Sequence, residues 1–287
     1  MAKLYVIGNG FDLWHNLPTS YKDFYLFAQT TLDELESYYS FNTQNNQPWH
    51  DFENALGYFD AVGLFNNLNE VNIASDNFKP SHIYGLEDEI TEQTESHVAT
   101  VKETFTHWVN QLDVSCTERK MIFPEDTQFI TFNYTSTLQS VYEIENDRIL
   151  HIHGRAEMYD DLIFGHGKNI GEPPEFYDDG ESTWDMFSDA QRGAKYPLYA
   201  LRKPVEDVLK DHENNFAQLS NVDEIVVIGH SLNEIDQPYF CRIVQITEGA
   251  VWKVCFYSEN EKEYYIQSLI NCGVERSKIE LITYDDL

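Results

Sequence analysis

Leu4-Tyr-Val-Ile-Gly-Asn-Gly-Phe-Asp12 is an apolar run that ends abruptly in small and polar residues. Three later stretches repeat the design: Phe129-Ile-Thr-Phe-Asn-Tyr-Thr135, Ile149-Leu-His-Ile-His-Gly154 and Ile225-Val-Val-Ile-Gly-His-Ser-Leu232. Short continuous apolar runs suit strands buried on both faces, which occur in parallel sheets covered by helices. In such sheets ligands bind in the crevice at the carboxyl ends of the strands. Gly, Asn, Ser, Thr and His collect at those ends here, so the four stretches predict one site for a ligand, a nucleotide first of all.

Between the runs lie helical patterns. Thr19 or Ser20 can cap a helix carrying Tyr21, Phe24, Tyr25 and Phe27, and Asp51 can cap another after the polar break at 42–48. Residues 62–96 are acidic, Asn-rich and weakly periodic, and are expected to be a partly ordered insertion. A helix is predicted over about 97–113, with Val101, Phe105 and Trp108 at helical spacing. Leu162-Ile-Phe-Gly-His-Gly167 reads as a further short strand. A loop from 169 to 184, with Pro173, Pro174, Phe176, Tyr177 and Trp184, is placed as a lid. Strand–helix alternation resumes from Glu224 to Tyr284. The expected fold is α/β: one Rossmann-like domain over 1–287, its mostly parallel sheet flanked by helices, with a helical, acidic insertion at 40–120.

Composition narrows the function. The 287 residues are 42% hydrophobic and carry a formal net charge of −30, from 49 acidic and 19 basic side chains. That charge opposes direct nucleic-acid binding and attachment to anionic membranes. A small anionic ligand remains compatible with it, because helix N-termini and backbone N–H groups hold phosphate without Lys or Arg. With no 18-residue apolar run and no signal-peptide core after Met1, a soluble cytoplasmic protein is expected. Cys241, Cys255 and Cys272 read as buried thiols, consistent with a reducing compartment, and no cysteine spacing matches a metal site.

Gly8-Asn9-Gly10 sits where a phosphate-binding turn would, although Leu13 occupies the third glycine's place in a dinucleotide fingerprint. Asp12 either orients a ribose hydroxyl or caps the loop. The Asn133 carboxamide both donates and accepts, so it suits holding a water and a sugar hydroxyl together; the alternative is closure of a strand–helix turn. His151 and His153 lie two apart in a strand and so face the same way, as two metal ligands or as a catalytic His beside a structural one. His153 stands at the strand end, where a base reaches a ligand, and His166 and His230 stand at two further strand ends. A metal centre on these four imidazoles lacks a carboxylate or thiolate at ligand spacing, so no metal is expected. Ser231 after Gly229-His230 resembles half a nucleophile elbow, with Asn233 where the final Gly belongs.

The combination Ile7-Gly-Asn-Gly-Phe-Asp12, Leu17-Pro-Thr-Ser-Tyr21, Trp49-His-Asp-Phe-Glu53, Thr131-Phe-Asn-Tyr-Thr135, His151-Ile-His-Gly154, Phe164-Gly-His-Gly167 and Val227-Ile-Gly-His-Ser-Leu-Asn-Glu-Ile-Asp236 resembles the AbiH family of bacteriophage abortive-infection proteins. The same order of motifs more distantly resembles sirtuin-like NAD-binding domains, without their zinc-binding CxxC pairs. That second resemblance implies Asn133 and His153 as a catalytic pair acting on NAD. Gly8, Asn9, Gly10, Phe11, Asp12, Thr131, Gly154, Gly229, His230 and Ser231 would then bind the nucleotide. An NAD glycohydrolase-like hydrolase in phage defence is the expected function. The alternatives are a non-catalytic NAD or ADP-ribose sensor acting through assembly, and a His-dependent metal hydrolase. Homo-oligomerisation or a partner defence protein stays open.

Overall fold

The computed structural model describes residues 2–41, 49–171 and 185–287. Six strands form a single sheet: β1 (Ala2–Ile7), β2 (Thr127–Thr131), β3 (Ile149–His151), β4 (Val222–Ile228), β5 (Val251–Cys255) and β6 (Ile279–Ile282). Their order is β3-β2-β1-β4-β5-β6 and every pairing is parallel. This is the strand order of dinucleotide-binding α/β folds, in which the order of the strands reverses between β1 and β4 while their direction stays the same. The expected Rossmann-like α/β class is correct.

Alternation along the strands builds two cores. Leu4, Val6, Ile130, Ile225, Val227, Trp252 and Val254 face helices Gln237–Ile246 and Lys262–Asn271 through Tyr239, Phe240, Ile243 and Leu269. Tyr5, Ile7, Phe129, Val226 and Ile228 face the other way, against Phe11, Leu138, Val141 and Tyr142. Each such large apolar side chain stabilises the fold by about 1.5–3 kcal/mol on burial. Loss of water from both faces is why these strands read as unbroken apolar runs.

The chain forms two compact units. The sheet unit comprises Met1–Asp23, Trp108–Ile163 and Pro204–Leu287; the second, helical unit comprises Phe24–His107 and Phe164–Lys203. The expected insertion at 40–120 therefore has different limits. The helical unit starts at Phe24, takes in a second chain segment, and leaves 108–120 with the sheet. It is also better ordered than expected: helices Ala61–Leu68 and Ser81–Asn110 occupy most of the stretch read as partly ordered. Its core is aromatic, with Phe105 against Phe24, Phe52 and Phe164 at ring distances of 5.3, 5.5 and 4.4 Å.

The strand expected at Leu162–Gly167 does not form. His166 makes only an isolated bridge with Arg202, and Gly165 has φ +138° where Leu201 leaves no room for a side chain. Most of the expected lid, 172–184, lies outside the described residues. Among the described residues no helix is long and apolar enough to cross a membrane.

Candidate functional site

β1 ends at Ile7, and the helix Asn9–Trp14 starts immediately. That tight exit depends on glycine for close backbone packing. A Cβ on Gly8 would lie 2.6 Å from the His230 Cα, and one on Gly10 2.7 Å from the Gly229 Cα. Gly229 itself has φ +70°. The Gly8 N–H donates to Ile228 O, the Gly10 N–H to Gly229 O, and the Phe11 N–H to Gly8 O. The glycines thus lock the end of β1 to the end of β4, and these three donors are already used within the protein. Asn9 is tied in the same way, its Nδ2 donating to Thr19 O at 2.8 Å. Phe11 is fully buried in the core beside His15 and Tyr142.

Asp12, one helical step on, is 1% exposed. Its carboxylate accepts from Thr135 Oγ1 at 2.6 Å and from Thr137 Oγ1 at 2.7 Å, and the Asn133 side chain also hydrogen-bonds it. Burial raises the Asp12 pKa to about 6, against the opposing pull of those three bonds. Asn133 is 6% exposed. Its backbone N–H donates to Thr131 Oγ1, which fixes the turn leaving β2. Its side-chain Oδ1 is buried with no hydrogen-bond partner among the described residues. A buried acceptor left unsatisfied costs about 1–3 kcal/mol, a penalty that a bound donor would remove.

A second polar group lies at the exits of β3 and β4. His230 accepts from the Leu232 N–H at Nδ1, so its proton sits on Nε2, 3.5 Å from Asp236 Oδ2. His153 Nε2 lies 3.8 Å from Asp236 Oδ1. Asp236 is buried and held by Asn233, whose Oδ1 accepts the Asp236 N–H and whose Nδ2 donates to the carboxylate. One carboxylate therefore serves two imidazoles. Both rings pack on Phe132, at 5.1 and 4.3 Å. Gly154 follows with φ +83°, and a Cβ there would strike Asp161 O. Ser231 is exposed, and its Oγ accepts from Asn233 Nδ2.

His151 and His153 diverge, because β3 ends at His151. His151 lies against Gln139 Nε2 and Asn133 O, which makes Nδ1 the donor and Nε2 the acceptor. Burial lowers its pKa to about 4. His166 Nε2 donates to Leu198 O while Nδ1 accepts from the Lys168 N–H. On His151, His166 and His230 these bonds each occupy the one ring lone pair that a metal would need. Among the described residues no group of three or more His, Cys, Asp or Glu side chains is placed to hold a metal.

Asn133, Asp12, His153 and His230 thus all stand at the carboxyl edge of the sheet, in two hydrogen-bonded groups. Thr135, Thr137, Asn233 and Asp236 join them, none of which the sequence reading assigned to the site.

The site belongs to a Rossmann-like α/β unit with a buried carboxylate–imidazole group at its strand ends. Comparison with protein-family models matches residues 4–257 to the family described as bacteriophage abortive infection AbiH, and the chain belongs to that family. Searches of curated proteins and of solved structures found no match.

Proposed function

We propose that this abortive-infection protein binds NAD or a related nucleotide at the carboxyl edge of its sheet and hydrolyses the bond between ribose and base. The observation that carries the reading is the buried, unsatisfied Oδ1 of Asn133, held between the Asp12 network and the exit of β3. A carboxamide so placed accepts from a water or a sugar hydroxyl. His153, oriented by Asp236, takes the proton as the water oxygen bonds to the sugar carbon and the base departs with the bonding electrons. Positive charge develops on the sugar in that transition state. Asp12 is mostly ionised at neutral pH even with its pKa raised to about 6, and so can balance that charge.

Incubation of the purified chain with NAD, reading nicotinamide release, tests this. Release that disappears in Asn133→Ala and His153→Gln, with unchanged thermal unfolding, supports it. A second reading, a sensor that binds without turnover, is favoured by the closure of the site, where His153 is only 2% exposed. NAD bound but recovered intact supports the sensor, and absence of both binding and release overturns both readings.

A further inference from the structure

A cavity of about 460 Å³ opens beside the strand exits, within the sheet unit. Its walls include Val109, Asp113, Tyr134, Thr135, Glu157 and Tyr159. The volume falls in the range of small-molecule sites, roughly 300–1,000 Å³. Two of its walls connect it to the polar groups described above. Thr135 donates to Asp12. The Tyr134 ring lies near parallel to the His153 ring, at 6.4 Å and 28°. Tyr134 and Thr135 directly follow Asn133, so whatever fills the cavity rests on the segment that carries the unsatisfied Asn133 Oδ1.

The lining has a distinct chemistry. No Lys or Arg lines the cavity among the described residues, whereas Asp113 and Glu157 both do. The guanidinium of Arg155, beside the lining residue Ala156, is already engaged by Ser136, Asn146 and Glu157. A phosphate entering here would meet the Asp113 carboxylate, while Glu157 and Arg155 are paired with each other. Tyr159 stands at the rim 90% exposed, in a left-handed backbone conformation at φ +58°. With Tyr134 and Tyr159 the cavity offers two aromatic rings, apolar Val109 and Ala156, and hydroxyl and amide groups from Ser140 and Asn110. Flat heteroaromatic rings stack on such aromatic surfaces.

We propose that this cavity seats a nucleoside, a planar base with its ribose, and excludes the phosphate, which stays outside its rim. The proposal rests on the nucleotide-hydrolase reading and supplies the subsite that reading lacks. Arrival of the ribose against Tyr134 and Thr135 would present it to the Asn133 turn while the charged part of the ligand remains in solvent.

The test measures binding of adenosine and of AMP to the full chain by titration calorimetry, with no turnover involved. Adenosine should bind, and AMP should bind at least tenfold more weakly. Tyr159→Ala should weaken adenosine at least tenfold, Tyr159→Phe should stay within twofold of the parent, and Asp113→Asn should narrow the gap between AMP and adenosine. No binding of adenosine, AMP binding as tightly as adenosine, or a Tyr159→Ala variant with parental affinity would each overturn the subsite. Failure of the hydrolase reading is separately visible: adenosine then binds as expected while NAD releases no nicotinamide. Unaltered NAD turnover and KM in Tyr159→Ala would overturn the subsite alone.

Discussion

The Thr135 hydroxyl donates to Asp12 Oδ2 at 2.6 Å, joining residues 123 positions apart across the exits of two neighbouring strands. Burial holds the Asp12 pKa at about 6, above its ordinary 3.8. The folded protein therefore binds the Asp12 proton more tightly than the unfolded chain does. This contribution to stability is complete below about pH 4 and is lost as the pH rises through about 6. Asp12→Asn removes the titration. The stability difference between variant and parent should shift in the variant's favour by about 3 kcal/mol between pH 4 and 7, read by urea unfolding at each pH.

His151 has the opposite sign. Its folded pKa, about 4, lies below its ordinary 6.5, so its contribution is present above about pH 6.5 and is lost as the pH falls toward 4. His151→Gln should flatten that part of the acid limb. His151→Ala should cost about 2 kcal/mol at neutral pH, through loss of the bonds to Gln139 and Asn133 O. A His151→Ala variant as stable as the parent would show that the two bonds contribute nothing net.

Gly229→Ala should be among the most destabilising single-methyl additions in the chain. The new Cβ must occupy φ +70° and space already held by the Gly10–Phe11 backbone. A loss of about 2–4 kcal/mol is expected, from strain and overpacking together, measured as a fall in Tm.

In the helical unit, Lys203 Nζ and Glu53 Oε2 form a buried ion pair at 2.9 Å. Lys203→Met alone should cost about 3–5 kcal/mol, because it removes the cation that faces the buried Glu53 carboxylate. Glu53→Leu with Lys203→Met should recover most of that loss. A double-mutant cycle showing no coupling would contradict the pairing.

Cys241 and Cys272, read from sequence as thiols, are joined as a disulfide that links helix Gln237–Ile246 to the end of helix Lys262–Asn271. Peptide mapping under non-reducing conditions should recover the linked pair. Reduction should lower unfolding free energy by roughly 3–4 kcal/mol, as expected for a closed loop of this length.

The sheet was readable because both faces of β1, β2 and β4 are dry, which leaves short apolar runs that end in small and polar residues. The long helix Ser81–Asn110 was only half visible. Its buried stripe runs through Leu86, Ile90, Thr94, His97, Val101 and Phe105, and the polar Thr94 and His97 break the apolar periodicity at its middle. Bonds that no pattern shows hold them there: Thr94 donates to Ile90 O, and His97 Nε2 pairs with the Tyr39 hydroxyl. Phe164 misled in the reverse direction. It ends an apolar run like that of a strand, but its ring belongs to the aromatic core of the helical unit. At the candidate site, Asn133 and His153 could be picked out individually. The carboxylate that orients His153 could not, because Asp236 is 83 residues away in sequence and meets the imidazole only when β3 and β4 share a sheet.

The strand order has a consequence for how the chain is made. β1 leaves the ribosome before either of its neighbours, β2 at Thr127–Thr131 and β4 at Val222–Ile228. Until Ile228 has been synthesised, one edge of Leu4–Ile7 stays open, and the Gly8–Gly10 turn has no Gly229 to lock against. The growing polypeptide thus carries a strand paired on one edge at most until β4 emerges. The same delay means that ribosome-bound fragments ending before Asp236 cannot bring the two histidines and their carboxylate together.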